Sequence, residues 1–208
     1  MDFLTQIING LGQGSIYALV ALGYSMVYGI TQLINFAHGD IIMVGAYTTY
    51  VMLIMAGTPL WAAILAAVLF CAVVGVIIEQ VAYQRLLNKN APRISLLITA
   101  IGVSMLLQNL YQLIFKSDAK SVSNVLPSFP IPVGPLEISS VTLITIVTSV
   151  LVMLLLQILV KKTRIGKAMR ATSEDAGAAK LMGISSRNTI AFTFAIGSGL
   201  AAIGAVLY

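Results

Sequence analysis

An all-α, polytopic transmembrane helical bundle is the fold class this sequence predicts, and three observations predict it. Charged residues make up 9% of the chain and hydrophobic ones 59%, whereas soluble domains carry roughly a quarter charged residues. A chain so poor in charge, with a mean hydropathy of +0.97, must have lipid as its main solvent. Six apolar runs reach the roughly 20 residues that a helix rising about 1.5 Å per residue needs to cross a bilayer. Ten of the twelve basic residues gather in two connections between those runs, and only Lys116 and Lys120 lie elsewhere.

The runs are about 6–31, 39–56, 60–84, 94–115, 139–160 and 190–208. Gly57-Thr58-Pro59 is a tight turn, with Pro59 opening the third span. Asn88 to Pro92 is polar and ends on a helix breaker. Residues 116–138 form the long connection, where Pro127, Pro130, Pro132 and Pro135 favour extended over helical backbone. Gly10 with Gly14, and Ala195 with Gly199, are small-residue pairs expected where helices touch.

Arg85, Lys89 and Arg93 lie in one connection; Lys161, Lys162, Arg164, Lys167, Arg170, Lys180 and Arg187 lie in the other. Positive residues mark the cytoplasmic side, which makes 116–138 a periplasmic loop and puts residues 57–59 outside. Parity then places the N-terminus outside, unless residues 35–40 break a single helix at mid-membrane, in which case it lies inside. The net charge of +5 follows topology, with no interleaved aromatics to suggest nucleic acid. Cys71 is the single cysteine, so no internal disulfide can form. Met1-Asp2 has no basic n-region, and the first run is too long for a cleaved signal; insertion through the first helix is expected. The last run stops at Tyr208 without a polar flank. Residues 1–208 therefore read as one transmembrane domain of a longer protein with further spans.

Asn35-Phe36-Ala37-His38-Gly39-Asp40 is a polar segment in an apolar field. Asn35 and Asp40 can bond local backbone, Gly39 tolerates a break in helical dihedrals, and Asp40 suits the N-cap of the run from Ile41. Irregular backbone at membrane depth survives only beside protein or a water-filled cavity. A half-helix N-terminus there favours an anionic group such as an amino-acid carboxylate, and Asp40 can pair with an α-ammonium. The alternative is an inner turn with a satisfied histidine. Asn35, His38, Gly39 and Asp40, with Tyr17 and Gln108 from neighbouring spans, are the candidate substrate pathway. Gln108 and Asn109 are expected to face the bundle interior, and Glu79 to reach the interface. A metal on His38 and Asp40 lacks a third ligand. A membrane-embedded enzyme would need paired acid–base groups, and this chain offers one histidine and few buried acids.

Residues 161–189 are the other informative segment. Thr172 or Ser173 can cap a helix of about 10 residues, with Glu174 and Asp175 in its first turn, Lys180 in its last and Gly183 closing it. Ala176, Gly177, Ala178 and Ala179 keep it slim, and Leu181 and Met182 give it an apolar tip. Such a shape fits a cleft on a partner, with Arg164, Lys167 and Arg170 around it; its apolar side is too small to hold a membrane surface. Gly166-Lys167 is not a nucleotide loop, because Lys161 and Ala168 stand where that pattern needs Gly and Ser or Thr. Any ATPase is another chain.

Gly14-Ser15-Ile16-Tyr17-Ala18-Leu19, Tyr28-Gly29-Ile30, Asn35 to Asp40 and Gly45-Ala46-Tyr47 resemble the N-terminal signature of bacterial LivH-type permeases. Those are membrane subunits of branched-chain amino acid ABC importers. Residues 166–184 resemble that family's ATPase-coupling loop, with Glu174-Asp175-Ala176 where the wider importer motif has Glu-Ala-Ala. The resemblance implies coupling roles for Gly166, Arg170, Glu174, Asp175, Ala176, Gly177, Ala178 and Gly183. It also implies a bacterial inner-membrane location and no cofactor on this chain, with ATP and magnesium on partners. Those partners are two cytoplasmic ATPase subunits, a second related permease and a periplasmic binding protein for leucine, isoleucine or valine. Related importers of urea, short amides or another amino acid share the pattern.

Overall fold

The computed structural model describes residues 2–32, 34–89, 91–116, 129–133 and 136–208. Asp118, Lys120, Pro127 and Pro135 of the long connection lie outside the described residues. Among the described residues the helices are α1 (Asp2–Thr31), α2 (Ala37–Tyr50), α3 (Leu60–Ile78), α4 (Gln84–Asn88), α5 (Arg93–Phe115), α6 (Ser140–Lys162), α7 (Arg164–Glu174), α8 (Ala176–Leu181) and α9 (Ser186–Leu207). A π-helical turn, Val51–Met55, prolongs α2, and another, Glu79–Tyr83, joins α3 to α4. Six helical stretches are long and apolar enough to span a membrane: Phe3–Thr31, Ala37–Met55, Leu60–Leu87, Ile94–Phe115, Ser140–Lys162 and Ser186–Leu207. They match the six runs read from hydropathy, since length and apolarity alone decide both.

In the long connection, β1 (Pro130–Val133) pairs antiparallel with β2 (Leu136–Ser139), Ile131 opposite Ile138. Pro130 and Pro132 do hold the chain extended. They are tolerated because each strand of a two-stranded pair is an edge strand.

The bundle is organised around α9, which packs on α1, α2 and α3 and buries Gly197, Ser198, Gly199, Ala201, Ala202 and Gly204. Without a hydrophobic drive between helices in lipid, small residues let backbones close on one another. A Cβ placed on Gly23 would stand 3.0 Å from the Gly197 carbonyl oxygen, and one on Gly45 would stand 3.0 Å from Ala202 Cα. One on Gly75 would run into Ser198 Oγ and stand 3.0 Å from the Phe194 carbonyl oxygen. Gly204 meets Val20 while Gly23 meets Gly197, so α1 runs antiparallel to α9. A Cβ on Gly199 would stand 3.5 Å from Val68, whereas one on Gly10 or Gly14 would meet nothing. The contact on α1 is made by Gly12, against Thr142 of α6. The correction is one of phase: Gly10 and Gly14 share a helix face that points away from α6, and Gly12 lies on another.

Candidate functional site

The connection between α1 and α2 is recessed into the bundle. Gln32, at φ 54°, turns the chain out of α1, and its N–H donates to the Tyr28 carbonyl at 2.8 Å. Residues 34–36 then climb back along α1, so that His38 lies edge-on to Tyr24, ring centroids 5.7 Å apart, and hydrogen-bonds the Val20 backbone. Val20 and Tyr24 precede Thr31 by eleven and seven residues, which is about 10–16 Å of helix. The segment is thus a turn between two antiparallel spans, and α2 starts well inside the bundle. Gly39 is not the break that the sequence suggested; it is helical, and Gln32 takes the left-handed conformation instead.

Asp40 does not cap α2 either. The helix starts three residues earlier, at Ala37, without a side-chain cap on the N-cap residue Phe36. Asn35 serves locally: its Oδ1 accepts from the Ala37 N–H at 3.1 Å and from the Tyr83 hydroxyl at 2.9 Å. Asp40 Oδ1 accepts from Gln108 Nε2 at 2.9 Å across to α5. Gln108 and Asn109 are exposed on this chain, not turned inward; Gln108 reaches Asp40 from the side, and Asn109 bonds the Met105 carbonyl of its own helix at 2.7 Å.

Helical geometry divides the predicted pathway residues into two groups. Residues two apart on a helix point to nearly opposite sides, so His38 faces α1 and Asp40 faces α5. Tyr17, Tyr24, Asn35, Phe36, His38 and Gly39 line one cavity of about 330 Å³, which Gly39 leaves open because it has no side chain. Asp40 and Gln108 stand on the far side of α2. Three buried atoms around this helix start have no hydrogen-bond partner: Asn35 Nδ2, His38 Nε2 and Asp40 Oδ2. Their side chains are 3%, 4% and 8% exposed. Buried polar atoms are normally satisfied, so a donor, an imidazole nitrogen and a carboxylate oxygen held in reserve suit a polar solute in transit. Among the described residues no group of three His, Cys, Asp or Glu could hold a metal.

Asn35 also has a structural duty that can be measured. Asn35→Leu leaves the Tyr83 hydroxyl, on a residue 2% exposed, without its acceptor, which costs about 1–3 kcal/mol. We expect a lower thermal midpoint in detergent. Adding Tyr83→Phe removes the stranded hydroxyl and should recover part of the loss.

Glu79 overturns its expected place at the interface. It is 1% exposed, with Oε2 unpartnered, and Arg187 in the first turn of α9 is the cation that acts on it. Glu79 follows Gly75 by four residues, so it continues the face of α3 that carries Ala67, Cys71 and Gly75 into the bundle.

At the basic end, α6 bends into α7 at Thr163, whose Oγ1 accepts from the Gly166 N–H at 3.0 Å. Gly166, Met169 and Thr172 are the buried face of α7, and Arg170 reaches back to the Lys161 carbonyl at 3.4 Å. The next cap is Asp175, not Thr172 or Ser173, which lie within α7 as Glu174 does. Its Oδ1 accepts from the Gly177 and Ala178 N–H groups at 2.8 and 3.0 Å, so α8 has six residues, not about ten. Gly183 closes it at φ +81°, with the Ile184 N–H bonded to the Ala179 carbonyl at 3.0 Å, a Schellman end. Leu181 and Met182 stand 90% and 82% exposed at its tip.

A family model for the permease component of branched-chain amino acid transport systems matches residues 6–208. The chain belongs to that family. The permease is 41% identical to the high-affinity branched-chain amino acid transport system permease protein BraD of Pseudomonas aeruginosa, over 99% of this chain and 70% of that protein. It is 38% identical to the permease protein LivH of Escherichia coli K12, with the same coverage of each. The probable LivH of Methanocaldococcus jannaschii is 26% identical, over 91% of this chain and 61% of that one. No solved structure matches the permease. It is therefore a multi-pass inner-membrane transport component and not an enzyme, and a component of a system works with other subunits.

Proposed function

We propose that this permease is the translocating subunit of an ATP-driven importer of leucine, isoleucine and valine, working by alternating access. Relatives 38–41% identical over 99% of this chain are named high-affinity branched-chain amino acid transport system permeases. Two cytoplasmic ATPase subunits, which bind ATP and magnesium, supply the energy. A second, related permease completes the pathway, and a periplasmic binding protein delivers the substrate. The amino acid passes the recessed start of α2, between Tyr17, Asn35, His38 and Gly39 on one side and Asp40 and Gln108 on the other, where Asn35 Nδ2, His38 Nε2 and Asp40 Oδ2 are unpaired.

The observation that carries the mechanism is the α7–α8 elbow. Its slim helix holds Ala176, Gly177 and Ala178 in the open and an apolar tip beyond them, while Gly166, Met169 and Ala179 anchor it to the bundle. That is the form of a handle seated in a partner's cleft, with Arg170 and Glu174 at its flanks. A cysteine at Ala178, crosslinked in intact cells, is expected to capture an ATPase subunit, with the yield changing when ATP is depleted. Capture of lipid alone, and no ATPase at any nucleotide state, refutes the coupling role.

A further inference from the structure

The transmembrane spans are so uniformly apolar that hydropathy gives no hint of where an aliphatic side chain would lodge, yet among the cavities the packing leaves, one apolar cavity lies next to an unpartnered carboxylate. Between α2, α3 and α5 lies a cavity of about 420 Å³, lined by Val44, Thr48, Met52, Phe70, Leu107 and Phe115 among others. That volume is in the range of small-ligand sites, which are mostly apolar with a few placed polar groups. An aromatic corner closes one side: Tyr47 stacks on Phe115 with centroids 4.4 Å apart and tilts against Tyr111 at 5.4 Å.

A polar pair lies just past the basic end of the lining, which begins at Val44 on α2 and Leu107 on α5. Asp40 precedes Val44 by one helical turn on the same face of α2. Gln108, which holds its Oδ1, is next to Leu107 and three residues before Tyr111. The other carboxylate oxygen, Oδ2, is buried and has no partner. A buried carboxylate is costly unless a cation or donor meets it. An apolar slot with an unpartnered carboxylate oxygen one helical turn beyond its end matches an aliphatic chain carrying an ammonium group. A lipid acyl chain fills such a slot but leaves Oδ2 as it was.

We propose that this cavity is the side-chain pocket for a branched aliphatic α-amino acid during translocation, with Asp40 Oδ2 accepting from the α-ammonium group. The inference rests on the importer reading above and deepens it by locating selectivity on this chain. A hydrophobic pocket discriminates one methylene by about 10–200-fold, so changes in its volume are legible in transport.

The test uses the whole transporter, with its partner subunits and binding protein, in proteoliposomes. Thr48→Phe, which fills the cavity, is expected to raise the KM for leucine at least tenfold, with a smaller change for alanine. Asp40→Asn raises the KM for both, and Asp40→Glu recovers part. Met52→Ala widens the cavity and shifts preference from leucine toward phenylalanine at least tenfold; this arm stands even where Thr48→Phe fails to assemble. Wild-type KM and preference in Asp40→Asn and Met52→Ala overturn the proposal. So does a phospholipid retained by wild type and lost from Thr48→Phe while leucine uptake is unchanged, which marks an acyl-chain site. A wild-type transporter that hydrolyses ATP but imports no branched-chain amino acid removes the importer reading itself, and this pocket with it.

Discussion

Gly166→Ala is expected to reduce amino-acid uptake below a tenth of wild type while the protein still reaches the membrane. A Cβ at this position would press on the carbonyl oxygens of Leu159 and Val160 and stand 2.6 Å from the Val160 carbonyl carbon. These are backbone atoms at the end of α6, without rotamers to swing aside. Overpacking of this kind costs about 1–3 kcal/mol. The elbow has one cheap way to relieve it, which is to lever α7 away from α6. Thr163 cannot follow, because its Oγ1 is bonded to the Leu159 carbonyl at 2.6 Å as well as to the Gly166 N–H. The displaced α7 carries α8 with it and spoils the angle at which the tip meets a motor. Parallel assays of uptake and phosphate release in proteoliposomes check this: hydrolysis should persist but lose its stimulation by loaded binding protein. Full uptake by Gly166→Ala would show that the elbow angle does not matter.

Gly183→Pro is the second large effect. Gly183 sits at φ +81°, whereas proline is fixed near −65°. Its N–H, which proline lacks, donates to the Lys180 carbonyl at 3.1 Å. The substitution therefore unmakes the end of α8 and redirects residues 184–185, the short link into α9. We expect ATP hydrolysis without uptake, in a chain that still fractionates with membranes. Gly183→Ala grades the effect, since a left-handed conformation costs an ordinary residue about 1–2 kcal/mol; its uptake should fall between wild type and Gly183→Pro. Equal uptake by all three proteins would sever α8 from transport.

What could be read in advance divides along physical lines. Spans were legible because a bilayer imposes one length and one polarity on every helix that crosses it, and Phe3–Thr31 and Ser140–Lys162 needed nothing more. The two basic connections were legible for the same kind of reason. Caps were less so: Thr172, Ser173 and Asp175 can each cap a helix, and the burial of Thr172 against the bundle leaves the task to Asp175. Gly12, Gly23, Gly45 and Gly75 look no different in sequence from Gly10 and Gly14, since the phase of a helix is set by its neighbours. Glu79 lies on the i+4 face that carries Cys71 and Gly75 into the bundle, and hydropathy does not say which face of a span meets its neighbours. His38 and Asp40 were grouped as one site when the helix through them separates their faces. The apolar cavity beside Asp40 was invisible, because its lining is written in the same letters as the lipid-facing surface.

The close approach of α9 to its neighbours bears on how a push at the cytoplasmic end would travel. Side chains yield under load by changing rotamer, whereas peptide groups touching at Gly23, Gly75 and Gly197 have no such slack. An axle seated in bare bearings transmits displacement with little loss over its length. A displacement arriving through residues 182–185 would therefore reach three spans at once, as sliding rather than bending.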